Sequence, residues 1–394
     1  MLFSAHQETD VIKIWEFDFN AIQGRSSPDY NDAAVVQRAY DNNLHRLAGL
    51  ESLGFEGVFF SEHHFLNSLT PCPNLLVAAL AKMTQTMRIG VMGNVVPMHQ
   101  PWRLAEEIAM LDYITGGRFE IGSASGIAPE YMFINIADGD IRPMYAEALE
   151  FLDKARDNKM FSHEGKYWNF DDIIVMPRRK KMDRRREWMT IYTGASAEMA
   201  ARRDAKVCTG YQSTTAAAKA FEQYRETAAN LGRDVGPDDI GLRRQVLVCD
   251  SDSQAKELNE ELLAAAIKRM EITFQPLADR LAKATGQSMP EGIKQSGVMD
   301  ASTAKAKETF GQGAGGEKPK GMMSFVHMED EFIFGSPQTV ADRIIAQCRE
   351  AGVGNLMAYH ASTLEEAELD THYALWGKVL PILAKASLKQ AVAA

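Results

Sequence analysis

Short apolar segments recur eight times along this chain, and segments with a helical pattern of apolar residues separate most of them. The strand candidates are residues 2–6, 57–61, 87–96, 118–122, 189–193, 206–211, 241–249 and 355–359. The helix candidates are residues 33–53, 74–84, 101–113, 143–158, 196–203, 215–231, 253–267 and 339–351. Strands that alternate with helices are typical of βα units around a parallel sheet. Eight such units predict an α/β protein with the (β/α)8 barrel fold, in one domain over residues 1–394.

A doubly wound sheet is the alternative fold for alternating strands and helices. It requires a glycine-rich nucleotide loop directly after the first strand. The segment Ser4-Ala5-His6-Gln7, which follows the first apolar run, has no such pattern. The barrel is therefore the favoured architecture.

One region interrupts the alternation. Residues 271–325 contain no clean strand, and their centre at 311–321 reads GQGAGGEKPKG. Ordering a segment so rich in glycine and lysine has a high entropic cost. Long irregular insertions in compact domains are often lids or disordered excursions. We interpret 271–325 as a lid inserted between the seventh and eighth strands, where it can cover the barrel mouth.

Composition is that of an ordinary enzyme. The net charge of -10 argues against nucleic acid as a partner, because phosphates require a basic surface. No apolar run approaches the roughly 18 residues of a membrane span, and the first ten residues lack the features of a signal peptide. The four cysteines are far apart and form no CxxC pair, which predicts reduced, mostly buried thiols. A cytoplasmic protein is expected.

The segment after the second strand candidate carries the strongest chemical signal. Ser61-Glu62-His63-His64 follows the strand directly, and the active site of a barrel lies at that end of its strands. A metal site is one interpretation of an acid beside two imidazoles. However, adjacent strand residues point to opposite faces, so His63 and His64 do not easily reach one ion. The later strand ends offer glycine, serine and threonine in place of further ligands, so we predict no metal.

Small residues at the later strand ends favour a large planar cofactor. Glycines such as Gly93 and Gly194 let the backbone approach a ring or a phosphate closely. Ser196 is a natural N-cap for the following helix, and a helix N-terminus is a ready anion site. Arg142, just before the helix expected at 143–158, could clamp the same phosphate. Together these features predict a phosphorylated cofactor across the barrel mouth.

Four segments carry a resemblance to a known family. They are GFEGVFFSEHHF at 54–65, MRIGVMGNVVPMHQPWRLAEEIAMLDYITGGRFEIGSASG at 87–126, YTGASAEMAARRDAKV at 192–207 and FIFGSPQTVADRIIAQCREAGVGNLMAYH at 332–360. In combination they resemble the bacterial-luciferase-like flavin-dependent monooxygenases, over nearly the whole chain apart from 271–325.

The resemblance implies a barrel that binds reduced flavin mononucleotide (FMN) and molecular oxygen, with the flavin often supplied by a separate flavin reductase. It implies that His63 and Glu62 are the catalytic residues, with His63 as the catalytic imidazole and Glu62 beside the flavin ring. The implied cofactor-binding residues are Met92, Gly93, Asn94, Arg142, Gly194 and Ser196, and the predicted substrate contacts are His6, Tyr131 and His360. Two positions depart from the luciferase pattern, since Ala124 replaces a reactive cysteine and Ser125 replaces a phosphate-binding arginine.

The function that follows is a two-component flavin-dependent monooxygenase. Peroxide chemistry on the flavin would oxidise a medium-sized apolar organic substrate, such as an aldehyde or ketone, and a homodimer is expected. One alternative is an oxidoreductase that transfers hydride to or from a deazaflavin. Another is a flavin-binding protein without catalysis, which the intact Glu62-His63-His64 cluster disfavours. The sequence does not identify the substrate.

Overall fold

The computed structural model describes residues 11–26, 28–65, 68–179, 186–285 and 329–388. Its strands are β1 (Lys13–Asp18), β2 (Gly57–Phe60), β3 (Arg88–Val95), β4 (Phe119–Ala124), β5 (Phe161–Glu164), β6 (Asn169–Ile173), β7 (Glu187–Thr190), β8 (Lys206–Thr209), β9 (Ile240–Val248), β10 (Phe332–Gly335) and β11 (Asn355–Tyr359). Eight of them, β1 to β4, β7 to β9 and β11, form a parallel sheet that closes through the β8–β9 and β11–β1 pairs. The predicted (β/α)8 barrel is confirmed.

Helices surround the barrel. They are α1 (Ala33–Leu53), α2 (Pro73–Met83), α3 (Pro101–Ile114), α4 (Ala128–Phe133), α5 (Asp138–Asp157), α6 (Gly194–Arg203), α7 (Thr214–Asn230), α8 (Asp252–Thr285), α9 (Pro337–Ala351) and α10 (Glu366–Leu383). Local sequence sets their ends. Asp32 accepts hydrogen bonds from the first backbone N–H groups of α1, and Gly54 ends that helix with a left-handed φ of 95°.

The strands distribute their side chains with a period of two. In β1, Trp15 and Phe17 point into the barrel, whereas Ile14 packs in the layer between barrel and helices. Trp15 stacks on Phe59 of β2 with ring centroids 4.8 Å apart, and Trp188 of β7 meets both rings edge-on. The barrel interior below the strand ends is therefore filled by aromatic side chains, and a ligand must bind above this layer.

The first strand differs from the prediction. Residues 2–6, which include His6, lie outside the described residues, and β1 runs from Lys13 to Asp18. Glu16 and Asp18 interrupt the apolar pattern of this strand, so the pattern does not predict it. Both are buried against outer-layer partners, since Asp18 accepts a hydrogen bond of 2.6 Å from Asn43 Nδ2 and Glu16 lies 3.0 Å from His360.

The predicted insertion begins as a helix. Helix α8 continues past the expected end at residue 267 to Thr285, so residues 271–285 are helical, which corrects the irregular structure expected there. Residues 286–328 lie outside the described residues, and the lid stays a prediction. Sequence reasoning also missed the β5–β6 hairpin and β10, which pairs with the end of β9.

Two predictions from composition can be compared with the structure. Cys208, Cys249 and Cys348 are buried, as expected of most of the thiols, whereas Cys72 is exposed. Among the described residues, no helix combines the length and apolar character that crossing a bilayer requires.

Candidate active site

A histidine–carboxylate pair lies at the end of β2. His63 Nδ1 is 2.9 Å from Glu130 Oε1, and the backbone N–H of His64 donates to the same oxygen at 3.1 Å. Glu130 is fully buried on α4, whereas 31% of the His63 side chain is exposed. The carboxylate therefore holds Nδ1 of His63 and leaves Nε2 of this partly exposed ring for another partner.

The His63 ring is also held from the other side. It stacks on Phe19 with centroids 5.9 Å apart, and Phe19 packs against Phe17 and Tyr359 inside the barrel. These contacts place His63 directly above the aromatic layer of the interior. Sequence reasoning found His63 but missed Glu130, which lies 67 residues further along the chain.

Glu62 is an organising residue of this strand end. Its carboxylate is buried and contacts His64 Nε2 at 2.9 Å and His99 Nε2 at 2.8 Å, and it accepts the backbone N–H of Val95 at 3.0 Å. Burial alone would raise the pKa of Glu62, but the hydrogen bonds from His64, His99 and Val95 outweigh it and lower the pKa to about 2. Glu62 thus ties β2 to the end of β3 as a permanent anion.

The contact with Glu62 also changes the pKa of His99. Burial disfavours its charged form, but the hydrogen bond and the negative charge of Glu62 prevail and raise the pKa of His99.

As the alternation of strand residues predicted, His63 and His64 contact different carboxylates, those of Glu130 and Glu62. Among the described residues no group of three or more histidine, cysteine, aspartate or glutamate side chains could hold a metal.

Strands β3 and β4 form a wall of small residues next to β2, the strand that precedes His63. The Met92–Gly93 peptide bond is cis, and a Cβ on Gly93 would lie 2.6 Å from the backbone carbon of Ser123. Asn94 Nδ2 donates to Gly122 O at 3.1 Å, while its buried Oδ1 has no partner among the described residues. The wall thus combines close backbone packing with one unsatisfied amide oxygen.

The start of α6 differs from the prediction in one residue. Thr193, not Ser196, is the N-cap, and its hydroxyl accepts the backbone N–H of Ser196 at 3.2 Å. Ser196 Oγ accepts the N–H groups of Tyr192 and Thr193, which completes a capping box. Gly194 is the first helical residue, so the free N–H groups of this turn lie at the strand ends of the barrel.

Arg142 lies inside α5. The sequence pattern instead predicts a helix that begins one residue later, at Pro143. The helix starts at Asp138, and Pro143 lies inside it as the sixth residue, where it removes one i→i−4 backbone hydrogen bond. Arg142 is exposed and makes no ion pair with the rest of the described chain. Its guanidinium is available to an anion.

Tyr131 and His360, two of the predicted substrate contacts, both make hydrogen bonds within the protein. Tyr131 is fully buried, and its hydroxyl donates to Ser125 O, so it anchors the loop after β4. His360 points away from the barrel interior, where its Nδ1 lies 3.0 Å from both Glu16 and the Tyr373 hydroxyl. Burial lowers the pKa of His360 to about 4, so the ring is a neutral part of the outer layer.

A buried arginine inside the barrel was missed by sequence reasoning. Arg243 of β9 lies over the ring of Tyr211 at 4.0 Å, with Phe17 at 4.8 Å and Tyr359 at 5.9 Å. Its Nε and Nη2 atoms have no hydrogen-bond partner among the described residues. The alternation of the strand could have indicated that Arg243 faces inward, because Leu242 and Arg244 flank it.

Comparisons with known proteins identify the family and the fold of the chain. Residues 20–355 match the protein family described as luciferase-like monooxygenase. The uncharacterised protein y4vJ of Sinorhizobium fredii is 28% identical over 232 residues, which cover 58% of this chain and 59% of that protein.

Two solved structures share the fold. The oxygenating constituent of 3,6-diketocamphane monooxygenase from Pseudomonas putida, a type II Baeyer-Villiger monooxygenase in complex with FMN, aligns with a TM-score of 0.66 and 21% identity over 96% of this chain and 98% of its own. An F420-dependent secondary alcohol dehydrogenase aligns with a TM-score of 0.66 and 13% identity over 95% and 99% of the two chains. At such identities the likeness establishes the barrel.

Proposed function

The chain belongs to the luciferase-like monooxygenase family, and we propose that it is an FMN-dependent monooxygenase. It would take reduced FMN and molecular oxygen and oxidise a medium-sized organic carbonyl compound. The observation that carries this proposal is the His63–Glu130 pair above the aromatic interior, beside the small-residue wall of β3 and β4.

The residues present fit FMN. The unsatisfied Oδ1 of Asn94 lies at the end of β3, where a flavin ring would offer N–H donors. The N-terminus of α6 at Gly194 and the exposed Arg142 are suited to the phosphate, the first through backbone N–H groups and the second through a charged fork. Reduced FMN, when bound, would supply the electrons that activate oxygen for insertion into the substrate.

His63 would manage a proton during this reaction. With Nδ1 held by Glu130, the tautomer and orientation of the ring are fixed, and Nε2 can give or accept a proton at the mouth. Glu62 does not share this role, because its two oxygens are occupied by His64, His99 and the Val95 N–H. Glu62 instead fixes the backbone from which His63 projects.

We further propose that a separate flavin reductase supplies the reduced FMN. The P. putida structure described above is the oxygenating constituent of its enzyme, which supports a division into two components. The aromatic groups of the mouth, Phe19, Tyr211 and Tyr359, favour an apolar substrate body.

A direct test mixes the protein with photochemically reduced FMN, so that no reductase is needed, and then adds oxygen. Oxygen uptake, hydrogen peroxide and oxidised product are measured with a panel of aldehydes and ketones. The proposal expects at least one carbonyl compound to convert peroxide release into product. Peroxide release that stays unchanged across the whole panel would contradict it.

Hydride transfer with a deazaflavin is the second candidate, because an F420-dependent dehydrogenase shares the fold. Anaerobic incubation with F420 and a panel of secondary alcohols distinguishes the two. Loss of F420 absorbance without oxygen would favour the dehydrogenase, and oxygen-dependent product with FMN would favour the monooxygenase.

A further inference from the structure

Two adjacent arginines of β9, Arg243 and Arg244, differ in the hydrogen bonds of their guanidinium groups. Arg244 points outward and is fully buried, and its guanidinium donates to Gln347 Oε1 at 2.7 Å, Arg243 O at 2.9 Å and Glu331 Oε2 at 3.3 Å. Arg243 points inward, is 8% exposed, and leaves Nε and Nη2 without a partner among the described residues. A buried cationic group with open donors is costly unless a ligand completes it.

The buried carboxylate of Glu331 accepts no hydrogen bond from Nε or Nη2 of Arg243. Glu331 accepts the N–H of Tyr211 at 2.8 Å, the hydroxyl of Tyr359 at 3.2 Å and Arg244 Nη1 at 3.3 Å. The aromatic faces of Tyr211 and Phe17 stabilise the charge of Arg243 but accept no planar pair of hydrogen bonds. The open donors therefore call for an acceptor from outside the described chain.

The two open nitrogens form one edge of the guanidinium. Nε and Nη2 point the same way, which is the geometry that binds both oxygens of a carboxylate. Gly210 lies beside this edge, and a Cβ there would be 2.9 Å from Nε and 3.2 Å from Nη2. The glycine thus leaves the edge open where any other residue would crowd it.

This edge is continuous with the candidate active site. Arg243 contacts Tyr359, which packs edge-on against Phe19 at 5.7 Å, and Phe19 stacks on His63 at 5.9 Å. A molecule that reacts beside His63 can therefore extend along one aromatic wall to the guanidinium.

We propose that Arg243 binds the carboxylate of the substrate, which makes the substrate an apolar organic acid that also carries the reacting carbonyl. This inference rests on the proposed function for the reacting end of the molecule, whereas the carboxylate site stands on the geometry of Arg243, Gly210 and Tyr211.

Binding without flavin or oxygen tests the site separately from the reaction. Calorimetry would compare carboxylates from acetate to decanoate and phenylacetate with their neutral amides. Charge-assisted bidentate contacts predict that the best carboxylate binds about 10- to 100-fold more tightly than its amide. The preference should disappear in Arg243→Met and weaken in Gly210→Ala, which keeps the charge but crowds the edge.

Arg202→Met is the matched control, because Arg202 is an exposed arginine paired with Glu198 outside the barrel. It should retain the full preference for the carboxylate. The proposal is overturned if wild-type protein shows no preference for any carboxylate, or if Gly210→Ala, checked for native folding, binds as wild type. It is also overturned if Arg243→Met weakens reduced FMN binding without an acid present, since the arginine would then serve the flavin. Carboxylate binding that depends on Arg243 in a protein that makes no oxidised product would uphold the site and refute the proposed function alone.

Discussion

At the scale of single residues, the proposed chemistry depends on the partner of His63. A histidine at a strand end was visible in the sequence, but its role depends on the carboxylate that orients it. Glu130 comes from a six-residue helix after a glycine-containing loop, and no local pattern connects it to β2. Contacts between residues so far apart in the chain arise from barrel closure, which local periodicity does not encode.

Glu130→Gln should lower the oxidation rate while leaving the fold intact. The amide keeps the shape of the side chain but removes the charge that orients His63 Nδ1, so a loss of about 10- to 100-fold in turnover is expected, by analogy with second-layer partners of functional histidines. Steady-state product formation with photoreduced FMN measures it. Glu198→Gln, on the exposed face of α6, is the control, and equal rates for both variants would show that Glu130 does not orient His63 for the reaction.

Arg142→Ala should weaken FMN much more than riboflavin. The proposed contact is with the phosphate, which riboflavin lacks, and charge-assisted hydrogen bonds contribute roughly 1.5–3 kcal/mol. Titration of both reduced flavins by fluorescence under anaerobic conditions measures the difference. Equal losses of affinity for the two flavins would show that Arg142 does not touch the phosphate.

At the scale of elements, Glu62 joins β2 to the residues after β3. Burial opposes ionisation of Glu62, but the hydrogen bonds from His64, His99 and the Val95 N–H lower its pKa to about 2 in the folded protein. A carboxylate whose pKa is depressed in the folded state adds stability above its unfolded pKa and loses it as the pH falls toward the folded value. The contribution corresponds to a free energy of unfolding on the order of 3 kcal/mol.

Glu62→Gln should therefore lose stability in a pH-dependent way. The difference in unfolding free energy between wild type and variant should be largest above about pH 5 and should shrink as the pH falls from about 4.5 toward 2. Urea unfolding of wild type and variant between pH 3 and 6 measures it. A difference that stays constant over this range would refute the assigned network.

At the scale of the whole molecule, the barrel fold could be predicted because apolar strands and amphipathic helices alternate along the chain. The exceptions are informative. Strand β1 was missed because Glu16 and Asp18 look like surface residues until Asn43 and His360 bury them. Arg243 was missed because an isolated arginine in a strand has no local signature, and its meaning depends on three aromatic rings from β1, β11 and the end of β8.

The closing segment of the barrel depends on a buried ion pair. Arg244 of β9 and Glu331, just before β10, are both fully buried and 3.3 Å apart, and Gln347 of α9 completes the arginine. Arg244→Met should destabilise the protein by about 3–5 kcal/mol, because Glu331 stays buried but loses the partner of its ion pair. Chemical denaturation measures the loss, and Arg244→Met combined with Glu331→Gln should recover part of it. No recovery in the double variant would show that the loss comes from packing alone.

The proposed chemistry requires that His63 directs the reaction of oxygen toward product. The decisive measurement compares wild type, His63→Ala and the surface control His45→Ala, each mixed with photoreduced FMN, oxygen and the best carbonyl substrate. The His63 variant should bind reduced FMN and unfold like wild type, yet form product about 10²- to 10⁴-fold more slowly and release hydrogen peroxide instead. His45, exposed on α1, should be replaceable without effect. Product formation in His63→Ala at the wild-type rate would show that His63 takes no part in the reaction.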